Sequence, residues 1–252
     1  MPSIFRIPKV QLILTLILIS ITAFLKYPQI STLSPFITSV GFMVLFDLIF
    51  TYARKRTFFI PYAAIATGLI MALVIHHTAS WYQVAIAAGF AMGLKNFVRF
   101  SGRHIFNPAA GGLLLVGLFF QEYPAWWGAS FQQDLLSFLI LLSPGLVSIF
   151  RLKKHYMMLS FLLVIGIASQ LASLNFSLSS LVFNTFLDPT VVFFTLTMLP
   201  EPMTSPANQK SQLLYGVFVG LVSFALSLQN TIILDPFITA LLLGNLAFFK
   251  NR

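Results

Sequence analysis

The chain has 252 residues, of which 58% are hydrophobic and only 8% are charged, and its mean hydropathy is +0.90. Soluble domains carry about 25% charged residues, so this chain is predicted to be an integral membrane protein. Its net charge of +9 comes from basic residues in short loops, which indicates membrane topology rather than nucleic-acid binding. The absence of cysteine excludes thiol catalysis, disulfides and iron–sulfur ligation by this chain itself.

Long continuous apolar runs predict helical spans, because membrane β-barrels show alternating residues instead. The first run is interpreted as a span and not a signal peptide, since no small-residue cleavage site follows it. Proline interrupts the third, fifth, eighth and tenth runs, which are predicted to be broken or tilted helices. The ten predicted cores are 10–25, 34–53, 58–75, 80–94, 106–120, 135–150, 156–173, 178–199, 212–228 and 231–249.

The distribution of basic residues predicts which side of the membrane each loop faces. If the N-terminus is cytoplasmic, every one of the 15 Lys and Arg residues except Lys26 falls on the inner side. We therefore predict ten spans in the cytoplasmic membrane, with both termini in the cytoplasm.

An internal repeat relates the two halves of the chain. A shift of 128 residues places Pro61 on Pro189, and it places the Asn107-Pro108 pair on Asp235-Pro236. Since each half has five spans, the halves are predicted to insert with opposite orientation. The expected architecture is one membrane domain, 1–252, with an inverted repeat of halves at about 1–121 and 134–252. A shift of 127 residues also superposes two GxxxG pairs, which are interpreted as helix-packing sites within the chain.

Asn107 and Asp235 are predicted to be helix N-caps, because Asn or Asp followed by Pro suits the first helical turn. In an inverted repeat, the two caps are expected to face each other near the membrane midplane and to offer N–H groups to an anionic or carbonyl-bearing ligand. The alternative is that both are ordinary helix starts at the membrane surface.

Three motifs carry a family resemblance. They are "TGLIMAL" at 67–73, "GRHIFNPA" at 102–109, and "EPMTSP" at 201–206 followed by "YGVFVG" at 215–220. Together they resemble, over about residues 58–228, the family of the Rnf D subunit and the B subunit of the sodium-pumping NADH:quinone reductase. The resemblance implies ten helices in an inverted repeat similar to urea transporters. It also implies flavin, partner subunits, and electron transfer coupled to sodium or proton movement.

The chain departs from that family at the loop that carries covalent flavin. The family attaches FMN to a threonine in a Ser-Gly-Ala-Thr type loop, whereas the corresponding connection here, residues 121–134, has no threonine. Covalent FMN is therefore not expected. A non-covalent riboflavin or FMN near the inner ends of the fifth and eighth spans remains the expectation.

Each candidate residue also has a purely structural interpretation. Asn107 with Pro108, and Thr204 with Ser205, match family motifs but also suit a cap and a turn. Glu201 is either a cation or flavin ligand or a solvated loop residue. No metal site and no catalytic side-chain arrangement is predicted. The candidate cofactor-binding residues are Thr67, Asn107, Pro108, Glu201, Thr204, Ser205 and Asp235.

Two functions follow from the sequence. The first is a membrane subunit of an Rnf- or Nqr-like electron-transport complex, with membrane, flavoprotein or ferredoxin-reductase subunits as partners and no nucleic acid. The alternative is a channel or transporter for a small polar solute, in which residues 109–112 would form a narrow passage. A scaffold subunit without cofactor is a third and weaker interpretation.

Overall fold

The structure is a computed structural model that describes residues 8–26, 28, 33–55, 59–121, 124–130, 134–173, 177–229 and 234–251. Apart from one short β-hairpin, the regular structure in these ranges is helical. The helices are α1 (Pro8–Lys26), α2 (Leu33–Lys55), α3 (Tyr62–Val74), α4 (Trp81–Phe97), α5 (Pro108–Phe120), α6 (Trp127–Ser130), α7 (Leu135–Arg151), α8 (His155–Ser173), α9 (Leu178–Leu181), α10 (Pro189–Phe193), α11 (Gln209–Ser227) and α12 (Pro236–Phe248).

The helices are those of a membrane protein. Four contain segments long and apolar enough to cross a bilayer: Lys9–Lys26, Leu33–Lys55, His155–Ala172 and Gln209–Ser227. Large apolar side chains such as Ile37 and Leu214 point outward from the bundle, where lipid rather than water accommodates them. The prediction of an all-α membrane protein is therefore confirmed, while the number of crossings stays a prediction.

Proline shapes the shorter spans as expected from the sequence. Helices α3, α5 and α12 have 13 residues each, a length of about 20 Å, and a bilayer core is about 30 Å thick. The eighth predicted span is interrupted at Asp188-Pro189, where α10 begins. π-helical segments, Val182–Phe186 and Phe194–Met198, follow α9 and α10.

The helices pack in the same order in the two predicted halves, while the inverted repeat itself stays a prediction. Helix α2 packs on α4 and α4 on α5, while α8 packs on α11 and α11 on α12. Across the halves, α1 contacts α7 and α5 contacts α12. One side-chain hydrogen bond occurs at equivalent positions of the two halves. Thr67 Oγ1 donates to the Ala63 carbonyl at 2.7 Å. Thr195 Oγ1, 128 positions later, donates to the Val191 carbonyl at 2.6 Å. One buried apolar cluster runs through both halves.

The two GxxxG pairs differ in their surroundings. Gly216 lies against α8, and a Cβ there would come within 2.4 Å of the Met157 carbonyl oxygen, so this pair packs within the chain as predicted. Gly93, in the other pair, would meet nothing within 4 Å. Close packing thus accounts for one pair only.

Lys26, the exception to the charge asymmetry, forms an ion pair with Asp134. This pair joins the end of α1 to the start of α7, so the two helix ends lie on the same face of the molecule. The side of the membrane on which this face lies stays a prediction.

Candidate functional site

One cavity of about 300 Å³ brings together four of the predicted site residues: Thr67, Asn107, Pro108 and Glu201. Its walls come from α1, α3, α4, α5, α7 and the segment that follows α10. Small-molecule sites in proteins have volumes of about 300–1,000 Å³, so this cavity is large enough for a small planar ligand.

Asn107 lies at the start of α5 and forms part of the cavity wall. Its Oδ1 accepts from the Ala110 N–H at 3.0 Å, which is the predicted N-cap, and its Nδ2 donates to the Met198 carbonyl at 3.3 Å. Its backbone N–H donates to Asn245 Oδ1 at 2.8 Å, and Asn245 Nδ2 donates to the Tyr215 hydroxyl at 2.7 Å. Protein groups thus use both polar atoms of the Asn107 side chain, which positions α5 at the cavity.

A short β-hairpin positions His104 at the cavity wall. Strands β1 (Arg99–Phe100) and β2 (Arg103–His104) pair in antiparallel register. The turn residues between them, Ser101 and Gly102, both have positive φ, because a two-residue turn needs this conformation to match the twist of the strands. His104 Nε2 lies 2.9 Å from Glu201 Oε1. The hairpin therefore fixes one carboxylate oxygen of Glu201 at the cavity wall.

Thr204 and Ser205 lie behind Glu201 and do not line the cavity. Both are fully buried. Thr204 Oγ1 donates to Glu201 Oε2 at 3.1 Å, and Ser205 Oγ donates to the Glu201 backbone carbonyl at 2.8 Å. These two predicted ligand residues act as supports of Glu201, consistent with the turn interpretation.

A buried ion pair stands beside the cavity and was not recognised from the sequence. Lys95 lines the cavity, and its Nζ donates to Asp47 Oδ2 at 2.7 Å. The Asp47 side chain is 0% exposed, and its Oδ1 accepts from Asn96 Nδ2 at 3.1 Å. Asn96 Oδ1 in turn accepts from Thr51 Oγ1 at 3.0 Å. Asp47 therefore holds the Lys95 ammonium at the cavity.

The cavity combines apolar walls with positive charge. Its other walls include Leu12, Ala66 and Ile70, whereas Lys9 and Arg99 add cations beside Lys95. Glu201 is the carboxylate among the lining residues, and His104 already engages it. Such a surface suits a ligand with an apolar body and an electronegative edge.

Asp235 lies apart from this site, which corrects the expectation of two facing caps. It caps α12 by accepting from the Ile238 N–H at 2.9 Å, and its Oδ2 accepts from Trp126 Nε1 at 2.7 Å. The α12 residue beside Asn107 is Asn245, ten positions and about 15 Å further along the helix. The two caps therefore lie at opposite ends of the α5–α12 pair, as an inverted repeat that exchanges the two faces of the molecule would place them.

The small residues of α5 pack against neighbouring helices. A Cβ on Gly112 would lie 2.6 Å from the Ala87 carbonyl oxygen, and one on Gly111 would lie 2.4 Å from the Leu94 side chain. Ala109 lines the cavity. Gly112 is therefore required for the close approach of α4 and α5, whereas Gly111 faces the movable end of a leucine side chain. The passage at residues 109–112 stays a prediction.

Part of the connection that corresponds to the covalent-flavin loop of the family, residues 122–123 and 131–133, lies outside the described residues. The described part folds back on α3. The Trp126 N–H donates to the Val74 carbonyl at 3.0 Å, and Trp127 Nε1 donates to the Ala72 carbonyl at 2.9 Å. These bonds anchor the connection between the two halves.

Comparison with known proteins agrees with the resemblance in the sequence. The family model of the NQR2, RnfD, RnfE family matches residues 6–139, which include α1 to α6, the hairpin and the first two motifs. A comparison with curated proteins finds no match. Because the family match covers more than half of an all-α membrane chain, the protein belongs to the NQR2, RnfD, RnfE family and is a membrane subunit of an Rnf- or Nqr-type complex.

Proposed function

We propose that this subunit binds a flavin, riboflavin or FMN, non-covalently in the cavity beside Lys95 and passes electrons within the complex. The observation that carries the proposal is the cavity itself. It joins Thr67, Asn107 and Glu201 from separate motifs to an apolar wall and a cationic edge. A bound flavin would supply one- and two-electron chemistry, and the protein would hold it and set its potential.

The residues of the chain fit this role by position and charge. The alanine and leucine side chains of α1, α3 and α5 would cover the apolar part of the ring system and exclude water. Lys95 and Arg99 would stand near the electronegative part of the ring, where positive charge favours the reduced form. Glu201, held by His104 and Thr204, would offer an acceptor for a ring N–H.

The location of the cavity supports the proposed partners and orientation. Lys9, Lys95 and Arg99 belong to the basic face that the charge distribution assigns to the cytoplasm. A soluble flavoprotein or ferredoxin-reductase subunit would dock on that face and exchange electrons with the flavin. We extend the proposal to coupling with Na⁺ or H⁺ movement, as the family resemblance implies.

The test is flavin content in the purified protein. The chain is expressed with riboflavin and FMN supplied, purified in mild detergent, examined by absorbance, and precipitated with acid. We expect near-stoichiometric flavin in the supernatant. A colourless protein that conducts a small polar solute in liposomes would overturn the proposal and support the transporter alternative.

A cavity-filling variant makes this test specific. Ala63 lines the cavity and is half-buried, so Ala63→Leu places three extra carbon atoms into the ligand space. The matched control is Ala225→Leu on the exposed side of α11. Loss of flavin in the first variant and not in the second supports the site, whereas equal flavin in both places the cofactor elsewhere.

A further inference from the structure

A second cavity, of about 560 Å³, lies where α8 and α11 begin. It shares no lining residue with the first cavity. Most of its lining residues are of polar or basic types, and they include Lys153, His155, Tyr156, Asn208, Lys210 and Gln212. The cavity therefore lies on the basic face of the molecule, between the two most closely packed helices.

Electrostatics make this cavity attractive to an anion. Lys153 and Lys210 are exposed at its rim, and none of its lining residues is an Asp or Glu. Helices α8 and α11 both start here, and the first N–H groups of a helix carry partial positive charge. Asn208 caps α11 by accepting from the Ser211 N–H at 2.7 Å, which fixes that end of the helix.

The buried side-chain oxygen of Gln212 indicates that the ligand also carries a hydrogen-bond donor. The Gln212 side chain is 1% exposed, and its Nε2 donates to the carbonyls of Lys153 at 3.0 Å and Ala207 at 2.9 Å. These two bonds set the orientation of the amide, so Oε1 is an acceptor. It has no hydrogen-bond partner among the described residues. A buried acceptor without a partner costs about 1–3 kcal/mol, so it favours a ligand that donates.

The walls of the cavity are held in place by the protein. Lys154 Nζ donates to the carbonyls of Ser205 and Pro206, which ties the segment before α11 to the start of α8. The His155 ring packs against two aromatic rings, Phe150 at 5.7 Å between centroids and Tyr156 at 4.4 Å. Its buried Nδ1 has no hydrogen-bond partner among the described residues either.

We propose that this cavity binds a phosphate ester that also carries a hydrogen-bond donor, with the phosphate at Lys153 and Lys210 and the donor toward Gln212. Two sources supply this chemistry. One is the headgroup of an anionic phospholipid such as phosphatidylglycerol, since basic pockets between transmembrane helices at the cytoplasmic face bind such headgroups. The other is a soluble phosphate ester.

The test compares lipid binding in the full chain and in matched variants. The purified protein is reconstituted in nanodiscs of phosphatidylcholine, alone or with phosphatidylglycerol, and retained lipid is measured by native mass spectrometry after detergent extraction. Replacement of both cavity lysines, Lys153→Gln with Lys210→Gln, is expected to weaken phosphatidylglycerol retention at least about tenfold. The control replaces two basic residues that do not line this cavity, Lys55→Gln with Lys250→Gln, and should retain the lipid.

Three further arms identify the ligand. Phosphatidylethanol has the same charge as phosphatidylglycerol but lacks hydroxyl groups, so weaker retention of it supports donation to Gln212. Lysine-dependent thermal stabilisation by glycerol 3-phosphate, without retained phosphatidylglycerol, supports the same site with a soluble ligand. If both double variants retain phosphatidylglycerol equally and glycerol 3-phosphate has no lysine-dependent effect, the proposal is wrong.

Discussion

The ion pair of Asp47 and Lys95 makes the sharpest energetic prediction. The Asp47 side chain is fully buried, and 14% of the Lys95 side chain is exposed. Removing one partner of a buried pair costs about 3–5 kcal/mol, because the other charge stays buried without compensation. Asp47→Asn keeps the shape of the side chain and an acceptor for Asn96. Since Lys95 also borders the cavity, where water can reach it, we expect a loss of about 3 kcal/mol.

A double-mutant cycle tests this reasoning. Unfolding free energies are measured in mild detergent for Asp47→Asn, Lys95→Met and the double variant. Removing the unpaired ammonium should recover part of the loss, so the double variant should be more stable than Asp47→Asn alone. Asp134→Asn, in the exposed pair with Lys26, is the control and should have a much smaller effect than Asp47→Asn. If the single effects add within about 0.5 kcal/mol, the two residues are not coupled and the argument fails.

Three other predictions follow from single contacts. Asn107→Ala removes the α5 cap and should lower the unfolding free energy by about 1–2 kcal/mol in thermal or denaturant unfolding, and an unchanged value contradicts the cap. Gly216→Leu would push a side chain into the Met157 carbonyl and should reduce the yield of folded protein on size-exclusion chromatography, whereas a normal yield means that α8 and α11 can separate. The hydrogen bond from Lys26 holds the pKa of Asp134 well below its usual range. The stabilisation from this pair should therefore be constant above about pH 5 and decline below about pH 4, so a Tm difference between wild type and Asp134→Asn that grows on acidification contradicts the pairing.

Local chemistry explains what the sequence predicted well. The caps at Asn107 and Asp235 depend on Asn or Asp followed by Pro, which is readable from two residues. Composition determined the class of protein, and short motifs led to Thr67, Asn107 and Glu201, which the structure brings into one cavity. Each of these signals is contained in a few neighbouring positions.

Long-range pairs explain what the sequence did not reveal. Asp47 and Lys95 meet only because α2 packs on α4, and Asn107 meets Asn245 only because α5 runs beside α12. Neither pair has a local signature. Asp235 was grouped with the site through the repeat, although an inverted repeat moves equivalent residues to opposite faces. The predicted topology already placed Asn107 inside and Asp235 outside.

Divergence between the two predicted repeat copies explains why the cavity is open beside α3 and α5. The 128-residue shift that superposes the caps also places the cavity-lining Ala66 on Phe194 and Ala109 on Phe237. In the second half, these two phenylalanine rings stack with their centroids 5.1 Å apart, and Trp126 packs edge-on against both. Aromatic rings therefore fill the place that is open between the alanines in the first half. The open volume of the cavity therefore depends on the small side chains at positions 66 and 109 as well as on the arrangement of the helices.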